Sequence, residues 1–192
     1  MKAVLLLIAL FGYGTMQAQE QLEAKWLVKG NALLIPGMIL NVGSEYKVSM
    51  HSTLQADVLI SPWKSISGNH AQVYMGHIEW RYYLTHAFDK WYIGLNTGLG
   101  LFDLTKWNYS GADKFQRGFT ILAGATLGYQ YQISSKWYMD LFVGGGTSQA
   151  NYHGYELVPP DRWIRYDAAS EWNKSGEIIP YRGGVMISYK IR

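Results

Sequence analysis

The feature that most constrains this chain is an alternation of period two. In "HIEWRYYL", residues 77–84, the ionisable His77, Glu79 and Arg81 alternate with Ile78, Trp80 and Tyr82. Successive side chains of a strand point to opposite faces. Such a stretch therefore has one face of large apolar groups and one face of charge. Many segments after residue 18 repeat the pattern, and none sustains an apolar period of 3.6 residues. The chain is thus β-rich rather than helical.

Eight strands are expected: Lys25–Leu34, Ile39–Lys47, Thr53–Ser61, Gln72–Leu84, Trp91–Asp103, Gly118–Gln132, Trp137–Gly146 and Tyr181–Ile191. On one face they carry residues such as Leu40, Val42, Leu54, Ile78, Trp80, Leu95, Leu99, Ile121, Leu141 and Ile187. On the other they carry Lys29, Glu45, Asp57, His77, Glu79, Arg81, Asp140, Arg182 and many glycines, including Gly94, Gly98, Gly124, Gly128 and Gly184. A soluble barrel would wet the polar face, and a membrane barrel would enclose it. The glycines favour enclosure. On a soluble exterior they would weaken strands for no gain. Inside a narrow eight-stranded barrel small residues make room for long ones.

Connection lengths agree. Val48–Ser52, Thr85–Lys90 and Ile133–Lys136 are short; Pro62–Ala71, Leu104–Arg117 and Thr147–Pro180 are long. Only the first connection, around Pro36-Gly37, breaks the alternation. Short turns at one end and long loops at the other mark outer-membrane barrels. Aromatic residues, 15% of the chain, are placed to match. Trp26, Tyr46, Tyr82, Trp91, Tyr131, Trp137 and Tyr189 sit on the apolar face at the short-turn ends, as a membrane-interface girdle would.

Met1-Lys2, the apolar run Ala3–Phe11 and a small residue at Ala18 form a signal-peptide pattern over residues 1–18, leaving residues 19–192 as one domain. The run is shorter than the ~20 residues of a membrane-spanning helix. With no cysteine, a lipoprotein anchor, a disulfide framework and thiol chemistry are excluded. A net charge of +3 without a basic run gives no basis for nucleic-acid binding.

"NVGSEYKV", "STLQADVLISPW", "GHIEWRYYL", "YIGLNTGLG" and "YQYQISSKWYMDLFVGGG" resemble a family of uncharacterised small outer-membrane barrels, common in bacteroidete-type bacteria and of the OmpA/OmpX eight-stranded kind. The resemblance covers Lys25 to Tyr189. It implies a fold and a location, and no activity. The chain departs from it in lacking paired cysteines in the last long loop and in carrying Arg192 in place of a terminal aromatic.

In a barrel, Glu45, Asp57, His77, Glu79, Arg81, Asp140 and Arg182 form a lumen ionic network, since unpaired buried ions cost several kcal/mol. Arg81 and Arg182 are expected to bridge Glu45, Glu79 and Asp140. A metal site on His77 and Glu79 would want a third ligand. For nucleophilic catalysis the candidates are Ser148 with His153, and Ser65 or Ser67 with His70. The segment 147–180, rich in Tyr, Trp, Arg and Asp, suits a surface protein or glycan partner, or a loop folded over the mouth.

The expected molecule is all-β: an eight-stranded, antiparallel, up-and-down transmembrane barrel in the outer membrane. Its lumen is filled and polar, and outer-membrane lipid surrounds it. No catalytic, cofactor or metal site is assigned. The role is structural or surface interaction, with a lipid A-modifying enzyme or a narrow ion channel as alternatives.

Overall fold

A computed structural model describes residues 25–66, 69–106, 114–158, 162–165 and 172–191. The segment read as a signal peptide, Ser67 and Arg192 lie outside them. The strands are β1 Trp26–Asn31, β2 Leu40–Lys47, β3 Ser52–Ile66, β4 Asn69–Tyr83, β5 Lys90–Leu104, β6 Lys114–Gln132, β7 Trp137–Val158, β8 Arg162–Arg165 and β9 Asn173–Lys190. Among the described residues the one helical turn is a 3-10 turn, Ile35–Gly37, between β1 and β2.

Every pairing is antiparallel, and β1 to β7 each pair with the next strand. The sheet closes on itself because β9 pairs with both β7 and β1. The fold is thus an up-and-down ring, with β8 an appended strip on the end of β7. The ring is staggered. From Gly30, register partners run through Val42, Val58, Gly76, Leu99, Ile121 and Gln149 to Gly176. Yet Gly30 itself faces Ile187 on β9. That offset is the shear by which tilted strands close a sheet.

Burial is inverted relative to a soluble domain. Lys29 and Arg81 are 2% and 0% exposed, whereas Leu95 and Leu99 are 59% and 66% exposed. Long inward side chains lie where the facing strand has a glycine. A Cβ on Gly94 would collide with Glu79, on Gly98 with His77, on Gly128 with Tyr92, and on Gly184 with Asn31. The glycines are holes shaped for those groups.

The strands outrun the sequence expectation at the end opposite the turns 48–51, 84–89 and 133–136. Most of Pro62–Ala71 is strand, as is Thr147–Val158, and β9 begins at Asn173 rather than Tyr181. The expected loop 147–180 is therefore largely a tall hairpin, and β8 is an additional strand. The reason is that the outward face changes character. On β7, Gln149 and Asn151 replace Leu141 and Val143, so the ladder continues while the apolar-polar contrast vanishes. β1 is shorter than expected, ending at Asn31.

The wall is consequently uneven. β2 pairs with β3 only as far as Ile60, and β1 pairs with β9 only as far as Met186. Among the described residues, Ser61–Ile66 of β3 and Asn173–Gly184 of β9 have no strand partner on the flank above β1 and β2. Pro62 and Pro180 sit on these free flanks, where a missing N–H costs no ladder bond. The 3-10 turn floors the notch, tied to β3 by the Trp63 indole N–H donating to the Gly37 carbonyl at 2.8 Å.

Candidate functional site

The chemistry-bearing side chains gather inside the ring in three layers. Nearest the short turns, Lys29 on β1 donates to Glu45 and, at 2.8 Å, to Asp140. It also donates to Gln55 at 3.1 Å and Gln130 at 3.3 Å. Arg81 on β4 donates Nε to Glu79 at 2.9 Å and Nη1 to Asp140 at 2.8 Å and Glu45 at 3.3 Å. Its guanidinium lies 4.3 Å over the Tyr92 ring, whose hydroxyl donates to Asp140 at 2.9 Å. Tyr83 and Thr53 hydroxyls donate to Glu45 at 2.7 Å and 2.5 Å. This floor spans β1 to β7 and leaves neither cation without a carboxylate, as burial demands.

The middle layer turns on Arg182. Its Nη2 donates to Asp57 at 2.7 Å and Glu79 at 3.3 Å. It does not reach Glu45 or Asp140; Lys29 occupies that place. Sequence reasoning put Lys29 on the inner face without giving it a partner, because one lysine on a short strand carries no spacing signal. His77 lies 3.5 Å from Asp57 through Nδ1 and stacks on Tyr181, ring centroids 5.7 Å apart. His77 Nε2 and Arg182 Nη1 are buried without a hydrogen-bond partner.

A bulge makes this layer. Gly144 faces Arg182 and Gly145 faces Pro180, so Tyr181 is an extra residue on β9. Strict alternation from Val185 and Ile187 would turn Tyr181 outward. The bulge brings it inside beside Arg182, where its hydroxyl donates to Asn96 at 2.6 Å. A cavity of about 250 Å³ lies here, at the level of the notch, and its lining includes Leu34, Asp57, His77, Pro180, Tyr181 and Arg182.

The third layer is mainly apolar. A second cavity, of about 240 Å³, is lined by Met75, Phe102, Leu122, Ala150 and Ile179 around a Thr120–Ser148 hydroxyl pair at 2.8 Å. Tyr181 lines both cavities. At the rim above, Arg117 donates to Asp103 at 2.6 Å and 3.0 Å, and His70 meets the same carboxylate at 2.5 Å. His70 also stacks on Phe115, 4.1 Å between centroids.

The catalytic pair Ser148 and His153 is not assembled. The two lie at opposite parity on β7; Ser148 bonds Thr120, and His153 stacks on Trp172. The Ser65 side chain and Ser67 fall outside the described residues, and His70 is engaged by Asp103. Among the described residues no cluster of three or more His, Asp or Glu side chains is placed to hold a metal ion.

The expected girdle residues Trp26, Tyr46, Tyr82, Trp91, Trp137 and Tyr189 are outward and exposed, with Tyr131 partly so. Trp26 packs edge-on to Tyr46, and Trp137 edge-on to Tyr189. Unforeseen is a second aromatic level toward the tall end, where Tyr74 and Phe119 both pair with Leu101 and are exposed. Single rings on separate strands gave it no repeat to be seen by.

The sequence family described as "Protein of unknown function (DUF3575)" matches residues 4–179, and the chain belongs to it. No curated protein and no solved structure matches the chain.

Proposed function

We propose that this DUF3575 chain is an eight-stranded outer-membrane β-barrel, sealed by its own ion pairs, with a structural or surface-interaction role. The carrying observation is the inversion of the ring, with charge inside and hydrocarbon outside. Ten residue rises separate Trp91 from Leu101 on β5. At ~3.4 Å per residue and a tilt near ~40°, they stand about 26 Å high, close to the ~25 Å apolar band of such barrels. Aromatic residues flank this band at both ends, as at two membrane interfaces. The resemblance to small barrels of bacteroidete-type bacteria supports the same location.

The floor of Lys29, Arg81 and their carboxylates argues against a channel, since an ion would have to break several buried pairs to pass. The tall rim, with His70, Asp103, Phe115, Arg117, Tyr155 and Trp163 in mutual contact, supports a surface partner. Its aromatic and Arg content suits protein or glycan contact. The test is fractionation. The mature chain should recover with outer membranes, migrate faster on gels when unboiled, and give no steady conductance in planar bilayers. Recovery as a soluble periplasmic protein would overturn the reading, and steady conductance would overturn the seal.

A further inference from the structure

The uneven wall and the layered interior carry one more inference, which rests on the membrane reading above. We propose that the upper half of the interior binds the ester-linked acyl chain of a membrane lipid, admitted sideways through the notch between β3 and β9.

The interior changes character with height. The floor is ionic, its cations paired with carboxylates, whereas the lining of the cavity above it is mainly apolar and includes Met75, Phe102, Leu122, Ala150 and Ile179. Apolar groups facing inward are out of place in a lumen that holds only water, because the interior of such barrels is polar. An apolar concavity is lined for an apolar ligand. Its volume of about 240 Å³ suits an alkyl segment rather than a bulky molecule.

The notch connects this space to the lipid-facing surface. The β1–β2 connection is the low point of the wall, and its Leu33, Ile35 and Met38 are 62%, 67% and 68% exposed. Across the notch Ile178 is 89% exposed. The apolar belt therefore continues up to the lip of the opening. Just inside lies the cavity lined by Leu34, Pro180, Tyr181 and Arg182. A chain leaving the bilayer here would pass from one apolar surface to another.

The polar end of the ligand is set by what is unpaired. Arg182 Nη1 is buried beside the opening without an acceptor. A buried donor left unmade costs about 1–3 kcal/mol, so an acceptor oxygen is favoured there. Charge decides which kind. The carboxylates Glu45, Asp57, Glu79 and Asp140 face the cations Lys29, Arg81 and Arg182, one carboxylate in excess. An anionic headgroup would be placed against Asp57 and Glu79. A neutral ester carbonyl accepts the Arg182 hydrogen bond without that repulsion. Tyr181, which borders both cavities, is the side chain a bound chain must pass.

The experiment uses the folded full mature chain in phosphatidylcholine vesicles. The probe is a lysophosphatidylcholine whose acyl chain ends in a photoreactive diazirine, with the matching free fatty acid as comparison. Labelled residues are mapped by mass spectrometry. The inference expects labels on inward Met75, Leu122 and Ala150 as well as on outward Leu99 and Ile121. It expects the ester probe to label inside more than the fatty acid. Ala150→Phe should abolish the inward labels and leave the outward ones. Labels on outward residues alone would overturn the inference while leaving the membrane reading intact. Absence of labels on both faces would overturn both. Inward labelling by the fatty acid at or above the ester's would overturn the assignment of a neutral head. The wild-type map stands even if Ala150→Phe fails to fold.

Discussion

Arg81 shows how tightly a single residue is specified by its surroundings. It is fully buried, meets Glu79, Asp140 and Glu45, and lies over Tyr92. Arg81→Ala leaves three carboxylates facing one another with only Lys29 and Arg182 to compensate. The expected cost is roughly 3–5 kcal/mol, the usual penalty for breaking a buried ion pair from one side. Adding Asp140→Asn should recover part of it, because the sites share a network. Denaturant-refolding titrations in lipid vesicles measure both; strictly additive losses would mean that the network is not coupled. The inward placement of Arg81 was legible from "HIEWRYYL" alone. That of Tyr181 was not, because a bulge reverses parity and nothing in "IIPYRGG" announces where the extra residue falls.

At the scale of the element, β5 offers the cleanest contrast between faces. Leu95 is exposed outward near the middle of the Trp91–Leu101 band, and the next residue, Asn96, is buried and bonded to Tyr181 and Thr126. Leu95→Arg should cost about 2–4 kcal/mol in a bilayer, as charge at mid-membrane does, and Leu95→Val should be mild. Asn96→Leu should cost about 1–3 kcal/mol through the partners it orphans. The same vesicle titrations decide: a harmless Leu95→Arg would mean that water, not lipid, meets this face. Strand interiors were readable because a band of outward apolar side chains imposes strict contrast between faces. Strand ends were not, since above the band the outward face turns polar and the contrast is lost, while β3, β4, β7 and β9 keep pairing without that signal. Pro62 and Pro180 reinforced the misreading; both are tolerated because the flank beside them is free.

Over the whole molecule, the two ends of the ring differ. The turns 48–51, 84–89 and 133–136 lie at one end, and the tall hairpins of β3–β4, β5–β6 and β7–β9 rise at the other. In an outer membrane the tall end should face outward. Cysteines replacing Ser134 or Ser135 should resist a membrane-impermeant thiol reagent on intact cells, and cysteines replacing Asn151 or Asn173 should react. The reverse pattern would invert the orientation. The native chain has no cysteine, so the background is clean.

The seam of the ring has a kinetic consequence. Leu27 on β1 faces Lys190 on β9, so the first and last described strands must meet before the sheet has no edge. Every other wall contact except β7 with β9 is a hairpin that can form locally. Joining ends so far apart in sequence demands loop closure across nearly the whole chain, and such non-local pairing slows folding. Until β9 arrives, β1 and β7 each present an open edge able to recruit a strand from elsewhere. Lys29 then acts as a latch as well as a counter-ion. It sits on β1 yet bonds Asp140 on β7, reaching across β9, so the last pairing to form is also the one that neutralises the floor. A chain stalled before closure would be both sticky at its edges and charged at its centre, which ties completion of the wall to completion of the interior.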